Sequence, residues 1–318
     1  MIAGEAPRAR ILAAHLGLLA ALGALHLVLP EYHDTNLARI MVLASFALGY
    51  DILFGYAGLL SLGHAMFLAA GVYGTGLAMR NLGWAAEPAF ALGVASGAAL
   101  ALAVGLFALR TTGVAFMIVT LMFAQAGYLV ALYFNEWTRG DEGFVLAQAS
   151  RVFAGFDLTT PDARYVAALG LFGLCLLAKL WLAMSPAGRV LVAIRENEER
   201  TRMLGYDPWR YKLAAVVISG VYAGAAGATY ALLFGYVGAT FATVQYSIFP
   251  LLWVLLGGAG TVVGPLIGTA FMFYLVDISS DYTPAYMLLV GAALIGLTSF
   301  APKGLMGFVR ARWLRWLP

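Results

Sequence analysis

Apolar and polar positions divide the chain into long apolar runs joined by mostly short polar linkers. Runs at about 11–29, 37–54, 64–79, 88–109, 113–134, 164–183, 213–235, 247–261, 265–278 and 284–300 reach, or nearly reach, the length that crosses bilayer hydrocarbon. Those at 64–79, 247–261 and 265–278 are short, so the pattern predicts nine to eleven transmembrane helices, with ten as the central count. The runs are continuous, whereas a membrane barrel would alternate in segments of roughly ten residues. Linkers such as "RTTG" (110–113) and "SSDYTP" (279–284) are brief; those at 135–163 and 184–212 are long.

Composition agrees with this reading. The 318 residues are 62% hydrophobic and 11% charged, with mean hydropathy +0.86, against about 25% charged in a soluble domain. The expected fold is an all-α polytopic membrane protein, one transmembrane domain over 1–318. The run after Arg8 and Arg10 lacks a small-residue cleavage site and is expected to be a first span. Cys175 is the only cysteine, so no intrachain disulfide can form. No G-x-x-x-x-G-K-[ST] phosphate loop occurs, and no Ser/His/Asp or Cys/His set lies on a soluble face. His15, His26, His33 and His64 are too scattered to suggest a metal site. No catalytic residue, metal or cofactor is therefore expected in this chain, and no basic patch points to nucleic acid.

Lysine and arginine set the orientation. With ten crossings and a cytoplasmic N-terminus, about 14 of the 19 basic residues fall inside, counting Lys179 as reaching the inner surface along its own stem. Both termini and the 184–212 loop are then cytoplasmic. The outer loop 135–163 carries Glu136, Asp141, Glu142, Asp157 and Asp162 against Arg139 and Arg151, a landing site for an external partner or a plain solvated loop. The C-terminal "KGLMGFVRARWLRWLP" is basic and aromatic, suited to an anionic inner leaflet or to a positive-inside stop.

The segment 185–216 is polar yet dense in helix signals. Ser185 and Pro186 read as N-cap and first helical position, Gly205 as a stop, and Asp207 with Pro208 as a second start. Glu196–Arg200 and Glu198–Arg202 are spaced as i,i+4 ion pairs, and Val190, Leu191 and Ile194 form an apolar side. The expectation is a short stiff helix across the cytoplasmic face, within a loop spanning 185–206; the plainer alternative is a solvated connector.

The stretch Gly49–Gly74 is apolar but holds Asp51, Ser61, His64 and many glycines. Glycine permits close helix contact and local unwinding, which within a membrane is tolerated only where protein or water meets the backbone. Gly55, Gly58 and Gly63 with Ser61 and His64 are expected to form a hinge or pore-lining turn, joined by Thr120 and Gln125 as lining candidates. For His64 and Thr120 a plain hydrogen bond to a neighbouring carbonyl competes. A charged Asp51 at mid-bilayer would cost about 2.5–3.5 kcal/mol, so it is expected near the cytoplasmic end, paired, or functional. A second G-x-A-G stretch, "GGAGTVVGPLIGTAFM" from Gly257, hints at a repeat and adds Gly257, Gly258, Gly260, Gly264 and Pro265 to the hinge candidates.

These motifs together resemble the permease subunits of bacterial branched-chain amino acid ABC importers, the LivM/LivH family, and its LivM branch in particular. The resemblance runs from about 40 to 305, through "GYAGLLSLGHAMFLAAGVY", "FMIVTLMFAQ", "WTRGDEG", "GRVLVAIRENEERTRMLGYDPWRYKLAAV" and "VLLGGAGTVVGPLIGT". It implies a type II importer-like permease in the bacterial inner membrane, with a cytoplasmic coupling helix. Glu199 and Gly205 match the acidic and glycine positions of the loop that docks on the ATPase. Arg189, Arg195, Glu196 and Arg200 accompany them as coupling candidates. Implied partners are a second homologous permease, two ATP-binding subunits that carry ATP and magnesium, an external solute-binding protein, and membrane lipids. The chain departs from the family at Leu59, Asp51 and Arg139, where glutamine, asparagine and a small residue are frequent.

The solute implied is leucine, isoleucine or valine, with urea, short amides or other amino acids as the alternative. Two other classes compete: an ion-gradient secondary transporter, for which Asp51 and Asp277 are the only buried-carboxylate candidates, and a membrane-embedded enzyme, for which no clustered acid, base or metal set exists.

Overall fold

The structure is a computed structural model describing residues 8–300 and 303–312. Its helices are α1 (Arg8–His26), α2 (Glu31–Asp51), α3 (His64–Asn81), α4 (Ala86–Ala108), α5 (Gly113–Tyr133), α6 (Asn135–Thr138) and α7 (Pro161–Met184). Then follow α8 (Pro186–Glu196), α9 (Glu198–Met203), α10 (Pro208–Phe234), α11 (Val244–Gly257), α12 (Gly264–Tyr282), α13 (Tyr286–Phe300) and α14 (Gly304–Arg312). Every predicted apolar run contains one of these helices. Among the described residues six are long and apolar enough to cross a membrane: α1, α2 with its extension to Tyr56, α4, α5, α7 and α10. The helix α11, with 14 residues, spans about 21 Å at 1.5 Å per residue, short of a ~30 Å hydrocarbon core.

Burial divides centre from rim. The spanning windows of α2 and α10 are 78% buried, that of α1 only 11%. Small residues let the central helices approach, as membrane bundles require where lipid leaves little hydrophobic drive for association. On α3, α4 and α10, Gly71, Gly97 and Gly224 meet backbone to backbone. The apolar outer faces of α1, α4 and α5 remain open.

The segment 135–163 is more structured than a plain loop. It holds α6 and the strands β1 (Phe144–Val145), β2 (Val152–Phe153) and β3 (Phe156–Asp157); β2 pairs with β3, and β1 with β4 (Tyr236–Val237). Arg151 turns inward and donates to the Leu233 carbonyl (3.3 Å). The Thr159 amide, and then its hydroxyl, hold the Asp157 carboxyl below the usual range, so this acid stays anionic.

The segment 184–212 corrects one expectation. It is two helices, not one rod, because Asn197 is extended at φ −161° and its side chain accepts the Arg200 amide (2.8 Å), starting α9 afresh. The other signals operate as read: Ser185 caps α8, Asp207 caps α10, and Gly205 is left-handed at φ 88°. Because the break intervenes, Glu196 pairs not with Arg200 but with Arg195 (2.7 Å), while Glu198 meets Arg202 (3.6 Å) and Lys212 (2.5 Å). The tryptophans of the basic tail, Trp313 and Trp316, and Arg315 lie outside the described residues.

Candidate functional site: two helix breaks that meet

Past Asp51, α2 widens into a π-turn (Ile52–Tyr56), and the Ala57 amide bonds the Ile52 carbonyl (3.2 Å). The chain then runs without regular structure to Gly63, and α3 begins at His64. That start is deep in the bundle. His64 is fully buried and shares a 2.5 Å hydrogen bond with Ser219, eleven positions past Pro208 on α10, or about 16 Å along it.

Buried backbone outside a helix must find partners elsewhere, and here several elements supply them. The Tyr50 hydroxyl donates to the Ser61 carbonyl (3.0 Å), Leu62 N–H donates to Thr120 Oγ1 (3.2 Å), and Gly63 N–H donates to Ser61 Oγ (3.2 Å). Ala65 N–H reaches Ser247 on α11 (2.9 Å). The ring of His64 is enclosed by Phe46, Tyr50 and Phe67. Ser61, His64 and Thr120 thus hold the break together in this conformation. Gln125 lies apart from them, on the exposed face of α5.

The second break joins α11 to α12. The Gly258 carbonyl accepts both the amide (3.3 Å) and the hydroxyl (2.7 Å) of Thr261, whose Oγ1 accepts the Gly264 amide (3.2 Å). Gly257 packs against the Gly264 carbonyl, and Pro265 opens α12.

The two breaks touch. Asp51 Oδ1 accepts the Gly260 amide (2.8 Å), and Asp51 Oδ2 accepts from Lys179 Nζ of α7 (2.6 Å). Lys179 donates also to the Thr261 carbonyl (3.1 Å). Both charged side chains are sealed from solvent, with exposures of 1% and 0%. This corrects the expectation that Lys179 snorkels to the inner surface, and it selects pairing among the readings open for Asp51. Desolvating each charge is expensive, so the pair persists only because each partner also holds a backbone group. Gly55 has no room for a side chain: a Cβ there would strike the Asp51 carboxylate and lie 2.5 Å from the Gly260 nitrogen. Gly58, at φ 70°, lies against the stem of Arg195.

Arg195 connects this junction to α8, its Nη1 donating to the Gly55 carbonyl. The inner side of α8, with Val190, Leu191 and Ile194, is buried. Arg189, Glu196, Glu199, Arg200 and Gly205 are exposed, beside the apolar side chains of Met203, Leu204 and Tyr206. Sequence reasoning missed Lys179, Ser219, Ser247 and Thr261. One signal existed: Asp51 and Lys179 are opposite charges a few residues from the C-terminal ends of their apolar runs.

A separate cavity of about 760 Å³ opens between α3, α4 and α5, with walls that include Met66, Ala69, Phe123, Val130 and Trp137. Tyr73 also lines it, and its buried hydroxyl has no hydrogen-bond partner among the described residues.

A bundle of apolar helices that start and stop inside it, with charge buried at the breaks, is the build of a multi-pass membrane protein and is consistent with a permease. Comparison with known proteins makes this more specific. The model of the branched-chain amino acid transport system / permease component family matches residues 33–298, and the chain belongs to that family. It is 30% identical over 295 residues to the high-affinity branched-chain amino acid transport system permease protein LivM of Escherichia coli, covering 85% of this chain and 69% of the relative. The protein of the same name from Salmonella typhimurium is 29% identical over 292 residues, with the same coverage. A probable branched-chain amino acid transport permease protein LivM of Methanocaldococcus jannaschii is 28% identical over 141 residues, 39% of this chain and 41% of the relative. No solved structure matches.

Proposed function

We propose that this chain is the LivM-type membrane subunit of an ATP-driven importer of leucine, isoleucine and valine. It would cross the bacterial inner membrane ten times with both termini in the cytoplasm. Its partners would be a second homologous permease, two ATP-binding subunits and an external solute-binding protein; ATP and magnesium would bind those ATP-binding subunits. The observation that carries this reading is the form of the α8–α9 segment. Its inner side is anchored in the bundle, while its outer side presents Met203, Leu204 and Tyr206 among Glu199, Arg200 and Arg202. Exposed apolar side chains rimmed by charge are the composition of a protein-docking surface. An ATPase seated there would move α8 and, through it, the two breaks.

The apolar walls of the 760 Å³ cavity support passage of an aliphatic side chain. An ion-coupled secondary transporter is less well supported, because Asp51 is already neutralised by Lys179. Urea or short amides remain the alternative solutes. Co-expression with the cognate ATPase, permease and binding-protein genes tests the proposal. The expected result is a complex that takes up labelled leucine into proteoliposomes only with ATP. Leu204→Glu is expected to abolish co-purification of the ATPase. Gradient-driven uptake by this chain alone would overturn the reading, and a thermal-shift screen of the binding protein would identify the solute.

A further inference from the structure

We propose that Arg195 and Lys179 are positioning residues that clamp the two helix breaks into a single joint, which α8 moves as one body. The inference rests on the permease reading and adds the parts through which motion passes. Six groups converge. Arg195 of α8 holds the Gly55 carbonyl, Gly55 abuts the Gly260 amide, and that amide is held by Asp51 of α2. Lys179 of α7 adds to the cluster by binding Asp51 and the Thr261 carbonyl together. Four segments therefore meet in one polar cluster, and three of its side chains are charged.

The two ends of the cluster have different surroundings. Asp51 and Lys179 are sealed in the bundle, so their geometry is held from all sides. Arg195 is partly exposed and also bonds Glu196 at the cytoplasmic face. A displacement of α8 has one direct polar route to the breaks, the guanidinium on the Gly55 carbonyl. The absent side chain at Gly55 serves the same end, because any Cβ would wedge the breaks apart. Withdrawing Arg195 would free the Gly55 carbonyl from α8 while Asp51 and Lys179 still hold the two breaks together.

The test measures solute moved per ATP hydrolysed in proteoliposomes of the full complex with binding protein and leucine. Arg195→Ala is expected to lower that ratio by about tenfold or more, the scale of losing a charge-assisted hydrogen bond in a two-state element. Arg195→Lys, which keeps a charged donor, should recover part of it. Gly55→Ala reaches the same joint without touching the cytoplasmic surface and should also uncouple. Co-purification of the ATPase and the melting temperature report assembly and folding for each variant. If wild type shows ATP-driven uptake while folded Arg195→Ala and Gly55→Ala complexes keep its ratio, the clamp is wrong and the permease reading stands. If wild type shows no ATP-driven uptake, the permease reading fails and the clamp falls with it.

Discussion

Replacing Lys179 by methionine keeps most of the side-chain volume and removes the charge. Asp51 would then keep only the Gly260 amide as a partner, at a position with no solvent access. Breaking a buried ion pair by removing one member costs about 3–5 kcal/mol, because the remaining charge is left uncompensated. At roughly 2 °C per kcal/mol for a chain of this size, the apparent melting temperature in detergent should fall by about 6–10 °C. Asp51→Asn alone should behave similarly, leaving the buried Lys179 ammonium without a counter-charge. The double variant Asp51→Asn/Lys179→Met removes both charges, and neutral replacements of whole buried pairs are often harmless to stability. It should therefore melt within about 2 °C of wild type, a strongly non-additive cycle. Additive single effects, or a Lys179→Met protein that melts like wild type, would refute the claim that the two charges depend on each other.

Two further outcomes follow from the same contacts. Ser219→Ala strips the buried His64 ring of its side-chain partner and should destabilise the protein by about 1–3 kcal/mol, read as a lower melting temperature, whereas Ser219→Thr should cost less if its hydroxyl reaches the ring. Gly205→Ala imposes a Cβ on a left-handed residue with open space around it, so its cost is purely backbone, about 1–2 kcal/mol; faster amide exchange confined to 198–206 would report it, and exchange spreading into α10 would contradict it.

Much of the chain was legible from residue order alone. Apolar runs predicted the membrane helices because a lipid-facing helix must be apolar along its whole length, and length and hydropathy are properties of sequence. Ser185, Gly205 and Asp207 marked local helix ends because capping acts within a few residues. Asn197 was passed over as a second cap inside what looked like one helix, and with it went the expected Glu196–Arg200 pair.

The sequence by itself determined the class of protein, its apolar helices, and the positions at which glycines loosen them. Only tertiary structure decided what those loosened positions touch. Asp51 and Lys179 are 128 residues apart, and Asp51 and Gly260 are 209 apart; no local pattern encodes such distances. The glycines at the breaks looked like softness in the sequence. In the folded chain Gly55 allows backbone to meet backbone, and buried charges occupy the polar groups that unwinding exposes. The physical reason is solvation: periodicity states which residues avoid water, but the partner for each unpaired polar group inside a bundle is set by which helices come to lie side by side.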